Sequence, residues 1–287
     1  MANISAADIK ALREKTAAGM MECKNALVET NGDFAKAEKL LKEKGLAAVE
    51  KRAGRATNEG KIFVKIKDDA SGATGVLVEL VSETDFVARN PDFIALGGAV
   101  ADRVLEKSIT EPNDELNNMV SDLAAKIREN MGLKRIKTVK AAAGEYLTSY
   151  IHGDGAIGVL VRLGSDKADA FKNEEVKDFA FSIALHVAAY NPAALDQSKV
   201  DAVWLKEQED IFRKQMEQDE KLQGKPANVI DNILKGKVGK FLKDICMMDQ
   251  AYVKDDKITF AQALADVNKK FGAKLTIEDY VYFKVGG

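Results

Sequence analysis

A glycine-rich segment is the part of this chain that most resembles a site for chemistry. Gly153-Asp-Gly-Ala-Ile-Gly158 has the G-x-G-x-x-G spacing of dinucleotide sites, where the motif follows a strand and opens a helix that meets the pyrophosphate. Here the motif is followed by Val159–Leu163, whose residue types predict a strand. A hairpin turn therefore explains the glycines better than a nucleotide site. No Walker A sequence occurs, so we expect no phosphate cradle.

Histidine and cysteine are too few and too scattered to predict a catalytic or metal centre. The two histidines are His152, in the turn before the glycines, and His186, on a predicted helix. We expect a turn or surface-contact role for His152, and a structural role for His186 on the helix surface or partly buried. Cys23 and Cys246 have no ligand spacing. The sequence therefore predicts no catalytic residue, no bound metal and no cofactor, and hence a protein that is not an enzyme.

Composition and charge exclude several other classes of protein. Lys and Arg total 43 against 45 for Asp and Glu, whereas proteins that neutralise many phosphates usually carry a basic excess. No run approaches the roughly 18 apolar residues of a membrane-spanning helix. The N-terminus lacks the pattern of a signal peptide, and two distant cysteines favour a reducing compartment. We expect a cytoplasmic protein without direct nucleic-acid or membrane binding; an organellar protein that has lost a transit peptide stays open.

Helix signals dominate the N-terminal part of the chain. Caps and apolar spacing predict a module of three short helices over residues 1–45. Asn31-Gly32 is expected to end the second helix, Asp33 to cap the third, and Gly45 to end it. Residues 46–60, which are rich in alanine and charge, predict a helical or flexible linker.

An internal repeat organises the remaining chain. Gly158–Leu163 matches Gly75–Leu80 at every position but one, and the match continues without a gap at an offset of 83, so that Asn173 pairs with Asn90. Each copy predicts a strand, a loop and a capped helix, and hence two related α+β lobes, each a small sheet covered by helices. A polar helical hairpin interrupts the second lobe. The predicted units are 1–45 (helical module), 46–60 (linker), 61–142 (first lobe), 143–197 (second lobe, first part), 198–247 (hairpin) and 248–287 (second lobe, completion).

The two lobes differ most in the loop before the capped helix. Asp85 and Phe86 of the first lobe stand opposite Ala168 and Asp169 of the second. The scaffold does not require Phe86, because the other copy lacks it. Two interpretations stay open: Phe86 packs back on its own sheet, or it is an exposed aromatic beside an acid, as at the hot spot of a protein interface.

Several motifs resemble the bacterial elongation factor Ts family. The two most specific are Leu12–Leu27 (LREKTAAGMMECKNAL) and Glu83–Asn90 (ETDFVARN). The resemblance covers essentially the whole chain in one order and continues through His152–Leu160, His186–Ala189 and Gly224–Pro226. Ala17 departs from it, since the family pattern commonly has Gly there.

The resemblance implies a guanine-nucleotide exchange factor for elongation factor Tu, with a UBA-like N-terminal module. It implies that one loop inserts beside the partner's Mg²⁺ site, displaces the ion and so promotes the release of GDP and its exchange for GTP. That loop would be Thr84, Asp85, Phe86 and Val87. Docking on the partner would involve Arg13, Met20, Met21 and His152. A homodimer or a two-to-two complex is compatible with this function, and the sequence does not choose between assemblies.

Two rival functions are weighed against this one. A ubiquitin-associated-type adaptor with an unrelated two-lobed scaffold would explain residues 1–45 alone. An enzyme that uses the glycine-rich turn would explain Gly153–Gly158, and appreciable binding of labelled GDP or NAD by the pure chain would favour it.

We expect the purified chain to hydrolyse no nucleotide, because the sequence has neither a phosphate loop nor a set of metal ligands. Phosphate release from GTP or ATP should equal that of a mock preparation from the same host. Phosphate release above the mock level by rigorously partner-free protein would contradict this prediction.

Overall fold

The computed structural model describes residues 4–167 and 169–287, which form an α+β protein. Ala168, the predicted counterpart of Asp85, lies outside the described residues. The helices are α1 (Ala6–Thr16), α2 (Met20–Glu29), α3 (Phe34–Arg52), α4 (Asp85–Ala88), α5 (Pro91–Lys107), α6 (Asp114–Ile127), α7 (Glu174–Tyr190), α8 (Ala202–Glu217), α9 (Ala227–Ile245) and α10 (Phe260–Phe271). The strands are β1 (Glu59–Asp69), β2 (Gly72–Ser82), β3 (Met131–Ala142), β4 (Tyr146–His152), β5 (Ile157–Ser165), β6 (Ala251–Tyr252), β7 (Asp255–Thr259) and β8 (Leu275–Lys284).

Local capping interactions delimit the three N-terminal helices. Ser5 and Asp8 form a reciprocal capping box at the start of α1, and Asp33 accepts a hydrogen bond from the Lys36 amide at the start of α3. Asn31 and Gly32 follow α2 with φ of 52° and 83°, as their residue types predict. Leu12, Cys23, Ala26, Leu27, Ala37 and Leu41 form a small core between these helices. The three-helix module is thus observed, and its UBA-like character stays a prediction.

Ala17 adopts a backbone conformation that favours glycine. It ends α1 with φ of 54°, and its amide donates to the Arg13 carbonyl oxygen at 2.8 Å. A left-handed residue with a Cβ costs roughly 1–2 kcal/mol. The Gly that the similar family commonly has at this position therefore has a conformational reason. Although Ala17 adds only a methyl group, it departs from the pattern in backbone energy as well as in size.

Helix α3 does not end at Gly45, so that prediction is wrong. The helix continues to Arg52 and packs against α6 of the first lobe. A Cβ on Gly45 would lie 3.2 Å from the Ala125 Cβ, and Lys42 pairs with Asp122 at 3.1 Å. Packing between the two helices outweighs the cost of about 1 kcal/mol for a glycine inside a helix. Residues 46–52, the first half of the predicted linker, are therefore helical.

Two three-stranded antiparallel sheets form the centre of the molecule. The first has the order β1-β2-β3 and the second β4-β5-β8, with a separate pair β6-β7. Both sheets have a register shift beside the central strand, between Glu79 and Leu80 in β2 and between Arg162 and Leu163 in β5. These positions are related by the same offset of 83 as the sequence repeat. The repeat therefore extends from residue types to an irregularity of the backbone.

The two sheets face each other, and helices cover their outer faces. One layer of helices, α5 and α6, packs on the first sheet, while α7 and α10 cover the second. Between the sheets lie Ile62, Ala73, Leu77, Val139, Ala141, Leu147, Leu160 and Phe283. Gly75 and Gly158, which the repeat relates, permit the close approach: a Cβ would lie 2.8 Å from Leu160 Cδ1 and 2.4 Å from Ile62 Cγ2, respectively.

The predicted hairpin consists of α8 and α9, inserted between α7 and α10 of the second lobe. Gly224 lies between the two helices with φ of 79°. The Trp204 ring of α8 packs against Phe241 of α9 with a centroid separation of 5.6 Å and so holds the two helices together. None of the helices in the described part of the chain is both long and apolar enough to span a bilayer.

We expect Gly158→Ala to lower the free energy of unfolding by about 1–3 kcal/mol, because the added methyl group overpacks the sheet interface. Gly98→Ala is the matched control, since a Cβ at Gly98 meets no atom within 4 Å. It should be neutral or stabilising by up to about 1 kcal/mol, because glycine in a helix loses more chain entropy. Urea unfolding followed by circular dichroism checks both values, and equal stabilities of the two variants would refute the close approach.

Candidate functional site

The loop that differs between the lobes is a single helical turn with an outward-pointing aromatic ring. Thr84 caps α4 by accepting the Val87 amide at 3.3 Å. Val87 and Ala88 are buried in the core of the first lobe, whereas the Phe86 side chain is 83% exposed. Of the two interpretations left open by the sequence, packing of Phe86 on its own sheet is therefore wrong. The ring stands in solvent while its two neighbours anchor the turn.

Glu129 fixes the position of this turn through hydrogen bonds to Thr84. Its carboxylate accepts hydrogen bonds from the Thr84 hydroxyl, at 3.0 Å, and from the Thr84 amide, at 3.2 Å. The Ser82 hydroxyl donates to the Thr84 carbonyl oxygen at 3.0 Å. Sequence reasoning missed Glu129, which lies 45 residues from Thr84 and is brought there by the turn after α6. No local pattern announces such a contact.

Glu83, which precedes Thr84, and Asn130, which follows Glu129, also form hydrogen bonds. Asn130 donates its amide to Glu83 at 2.6 Å, and its side chain donates to the carbonyl oxygen of Arg55 at 2.7 Å. Arg55 in turn pairs with Glu83 at 3.3 Å. Asp85, on the loop itself, pairs with Arg89 at 3.3 Å. The beginning of the loop is thus fixed to the segment that connects α3 with β1.

The predicted docking residues of the N-terminal module are solvent-exposed. Met20 and Met21 are 56% and 63% exposed at the start of α2, and Arg13 is exposed on α1. Glu22, next to them, forms an ion pair with Arg128 of the first lobe. A hydrogen bond from the Gly19 amide lowers the pKa of Glu22, and Arg128 lowers it further. Because Arg128 precedes Glu129, one short segment contacts both the module and the loop.

His152 lies on the other lobe, at the end of β4. Its Nδ1 is 3.1 Å from the Tyr150 hydroxyl, and the Tyr150 ring meets Phe181 edge-on at 5.8 Å. His152 is exposed, and Phe181 is 41% exposed. The predicted site residues therefore occupy three units of the structure: the module, the first lobe and the second lobe.

His186 is fully buried rather than at the helix surface. Its Nε2 lies 3.0 Å from Gln250 Oε1, and the Tyr252 and Phe260 rings lie beside it. Burial lowers its pKa, which favours the neutral ring and a structural role. Within the described ranges no group of three His, Cys, Asp or Glu side chains could hold a metal ion. Cys23 and Cys246 are free and buried.

Comparison with known proteins shows which family this chain resembles. A family model described as elongation factor TS matches residues 83–287. Elongation factor Ts of Treponema denticola is 49% identical over 99% of both chains. The protein of the same name from Treponema pallidum, strain Nichols, is 43% identical over 99% of both, and that of Clostridium acetobutylicum is 38% identical over 99% of this chain and 92% of its own.

The chain belongs to the elongation factor Ts family. Its role is accordingly that of a translation elongation factor. The family model begins at Glu83, the first residue of the ETDFVARN motif. The module lies outside that match, but the relatives cover it, because their similarity extends over nearly the whole chain. The resemblance of the sequence motifs to this family is thus confirmed.

We expect Glu129→Ala to loosen the Thr84–Val87 loop without unfolding the lobe. It removes acceptors for the Thr84 amide and hydroxyl, at a cost of about 1–3 kcal/mol for hydrogen bonds to a charged group. Amide hydrogen exchange of a peptide covering residues 82–90 should accelerate. Glu111→Ala, at an exposed glutamate in the same lobe, is the control, and equal exchange in both variants would show that Glu129 does not hold the loop.

Proposed function

We propose that this protein is the guanine-nucleotide exchange factor for elongation factor Tu, and that the Thr84–Val87 loop drives the release of GDP. The observation that carries the proposal is the 83% exposure of Phe86 on a turn fixed by Thr84, Glu129 and two buried neighbours. A large apolar ring held rigidly in water is the arrangement of a preformed contact, since little conformational freedom is lost when it is covered.

The chemistry of release lies in the partner. Mg²⁺ bound beside a nucleotide neutralises phosphate oxygens, so its loss weakens nucleotide binding. Phe86 acts as a wedge between elements of the GTPase, and Asp85 lies beside it. The ion is displaced, GDP leaves, and GTP takes its place. No residue of this chain takes part in bond making or breaking.

Thermodynamic linkage sets the order of affinities. If the factor weakens GDP binding, GDP weakens binding of the factor by the same ratio. The nucleotide-free partner therefore binds this chain most tightly, and the overall equilibrium between GDP and GTP is unchanged. Measuring the affinity of the factor with and without GDP tests this reciprocity independently of any variant.

Docking spreads over the three units that carry the predicted residues. Met20 and Met21 supply flexible apolar side chains, which adapt to a partner surface, and Arg13 supplies charge. His152 provides a contact on the second lobe. Distribution of the contact area implies that loss of the loop alone weakens binding only partly.

We expect Phe86→Ala to slow factor-stimulated GDP release by tenfold or more, because the wedge lowers the barrier to release and a change of about 1.4 kcal/mol in that barrier is tenfold in rate. Release of fluorescent GDP from elongation factor Tu, measured by stopped flow at saturating factor, checks the rate. Ile94→Ala is the control: it removes an apolar side chain, 44% exposed, from α5 of the same lobe. An unchanged rate in Phe86→Ala would exclude the wedge.

A loop exchange sharpens the same experiment. Replacing Asp85 and Phe86 by the aligned residue types of the second lobe, Ala and Asp, removes the wedge and leaves the Thr84 cap and the buried Val87 in place. The exchanged protein should fold and bind the partner with modestly reduced affinity but release GDP slowly. If it folds, binds and still releases GDP at the wild-type rate, exchange must arise from the wider docking surface.

A further inference from the structure

A buried lysine joins the two lobes. Lys61, on β1 of the first lobe, is only 6% exposed. Its Nζ donates to the Asp154 carbonyl oxygen at 2.7 Å and lies 2.6 Å from Asp154 Oδ2. Lysine is almost never buried without a partner. The lysine stem and ammonium group are thus covered by a turn of the other lobe, and we call this pair the Lys61–Asp154 clamp.

The glycine-rich segment has the shape that this contact requires. Gly155 has φ of 96°, and a Cβ there would lie 3.1 Å from Lys61 Cβ. The Gly155 carbonyl oxygen accepts the Ile62 amide at 2.8 Å, so backbone pairing continues from β1 to the turn. The spacing that resembles a nucleotide motif therefore has a second reason besides the hairpin itself: it lets the turn approach the first lobe.

The clamp lies between two groups of predicted partner contacts. His152 is two residues before Asp154, while β1, which carries Lys61, packs against α4 of the loop. A hydrogen bond from Lys61 lowers the pKa of Asp154, and the charges of Lys61 and Arg89 lower it further. Since Arg89 also pairs with Asp85, charges alternate from the loop to the turn in the order Asp85, Arg89, Asp154, Lys61.

We propose that the Lys61–Asp154 clamp is a positioning pair that fixes His152 relative to the Thr84–Val87 loop, so that both engage one partner at the same time. Apolar packing between the sheets holds the lobes together, and directional contacts cross between them near this turn: the Ile62 amide donates to the Gly155 carbonyl oxygen at 2.8 Å and the Gly286 amide to Glu79 Oε1 at 3.1 Å. The Lys61–Asp154 clamp adds to them a short ion pair with two acceptors, which is directional and fixes the turn that follows His152. The effect on exchange rests on the proposed function, whereas the effect on geometry does not.

The geometric test measures the distance between the lobes in the full chain without any partner. Spin labels are attached to Ala95→Cys and Asp178→Cys, exposed positions on α5 and α7 that the offset of 83 relates. The native Cys23 and Cys246 are buried, so labelling is selective. Double electron–electron resonance should give a narrow distance distribution that Asp154→Asn broadens or shifts.

Asp154→Asn is chosen because asparagine tolerates the left-handed conformation that Asp154 adopts, with φ of 54°. Its side chain is 80% exposed, so no buried group is exchanged. Lys61→Met, which removes the cation and keeps the stem, should broaden the distribution further. The matched control is Asp102→Asn, which breaks the Lys65–Asp102 ion pair between β1 and α5 within the first lobe. A distribution as narrow in Asp154→Asn as in Asp102→Asn would overturn the clamp.

The functional test separates binding from the exchange step. With the unlabelled chain, the factor concentration giving half-maximal GDP release from elongation factor Tu should rise about three- to fivefold in Asp154→Asn, as for loss of an ion pair. The maximal rate should stay within about twofold, because the loop itself is intact. A merely structural role would lower the unfolding midpoint and leave the half-maximal concentration of the folded protein unchanged.

Each result bears on one claim. Broadened distances with an unchanged half-maximal concentration would show that the clamp does not position partner contacts and would overturn the proposal. Failure of the wild-type chain to accelerate GDP release from elongation factor Tu would instead remove the proposed function, while the distance measurement would still decide whether the clamp sets the lobe geometry.

Discussion

The face-to-face packing of the two sheets is the constraint on which the rest of the structure depends. Leu77 and Leu160 meet across it, and the repeat-related Gly75 and Gly158 allow the backbones to approach. Each sheet has apolar residues on both faces and buries one face against its helices and the other against the other sheet. The two lobes are therefore packed together and are not independent domains joined only by a linker. Contacts that are far apart in the chain, on the loop and on the β4–β5 turn, acquire a fixed relation through this interface.

A short segment after α6 connects the other units to this centre. Arg128 pairs with Glu22 of the module, Glu129 holds Thr84 of the loop, and Asn130 binds the chain before β1. Three successive residues thus link three parts of the molecule. Arg128 adopts φ of 70°, which turns the chain at the end of α6 and presents the following side chain to the loop. The module and the loop consequently share a support, which is consistent with the proposed docking of both on one partner.

The exposed Phe86 side chain of the loop is not explained by the stability of the fold. An exposed phenylalanine gains nothing for the stability of the free chain, because the hydrophobic stabilisation of burial is not realised. The second copy of the repeat has no aromatic at this point, and its lobe nevertheless has a buried apolar core. The difference between the copies therefore marks Phe86 as a side chain that the scaffold does not require. Val87 and Ala88 are buried and hold the turn, whereas Phe86 projects from it.

Sequence alone determined the features that depend on near neighbours. The cap at Asp33 was predicted from its residue type and is present, since a side chain reaches a backbone amide three residues away without help from the fold. The repeat, the inserted hairpin and the divergent loop followed from patterns within the chain. The family resemblance followed from motifs. Only the tertiary structure decided the rest. Gly45 lies inside a helix because α6 packs against it, Phe86 is exposed because its neighbours fill the core, and Glu129 and Lys61 find partners 45 and 93 residues away. Such contacts are set by where the packed sheets bring distant segments together, and no local pattern of residues encodes that distance.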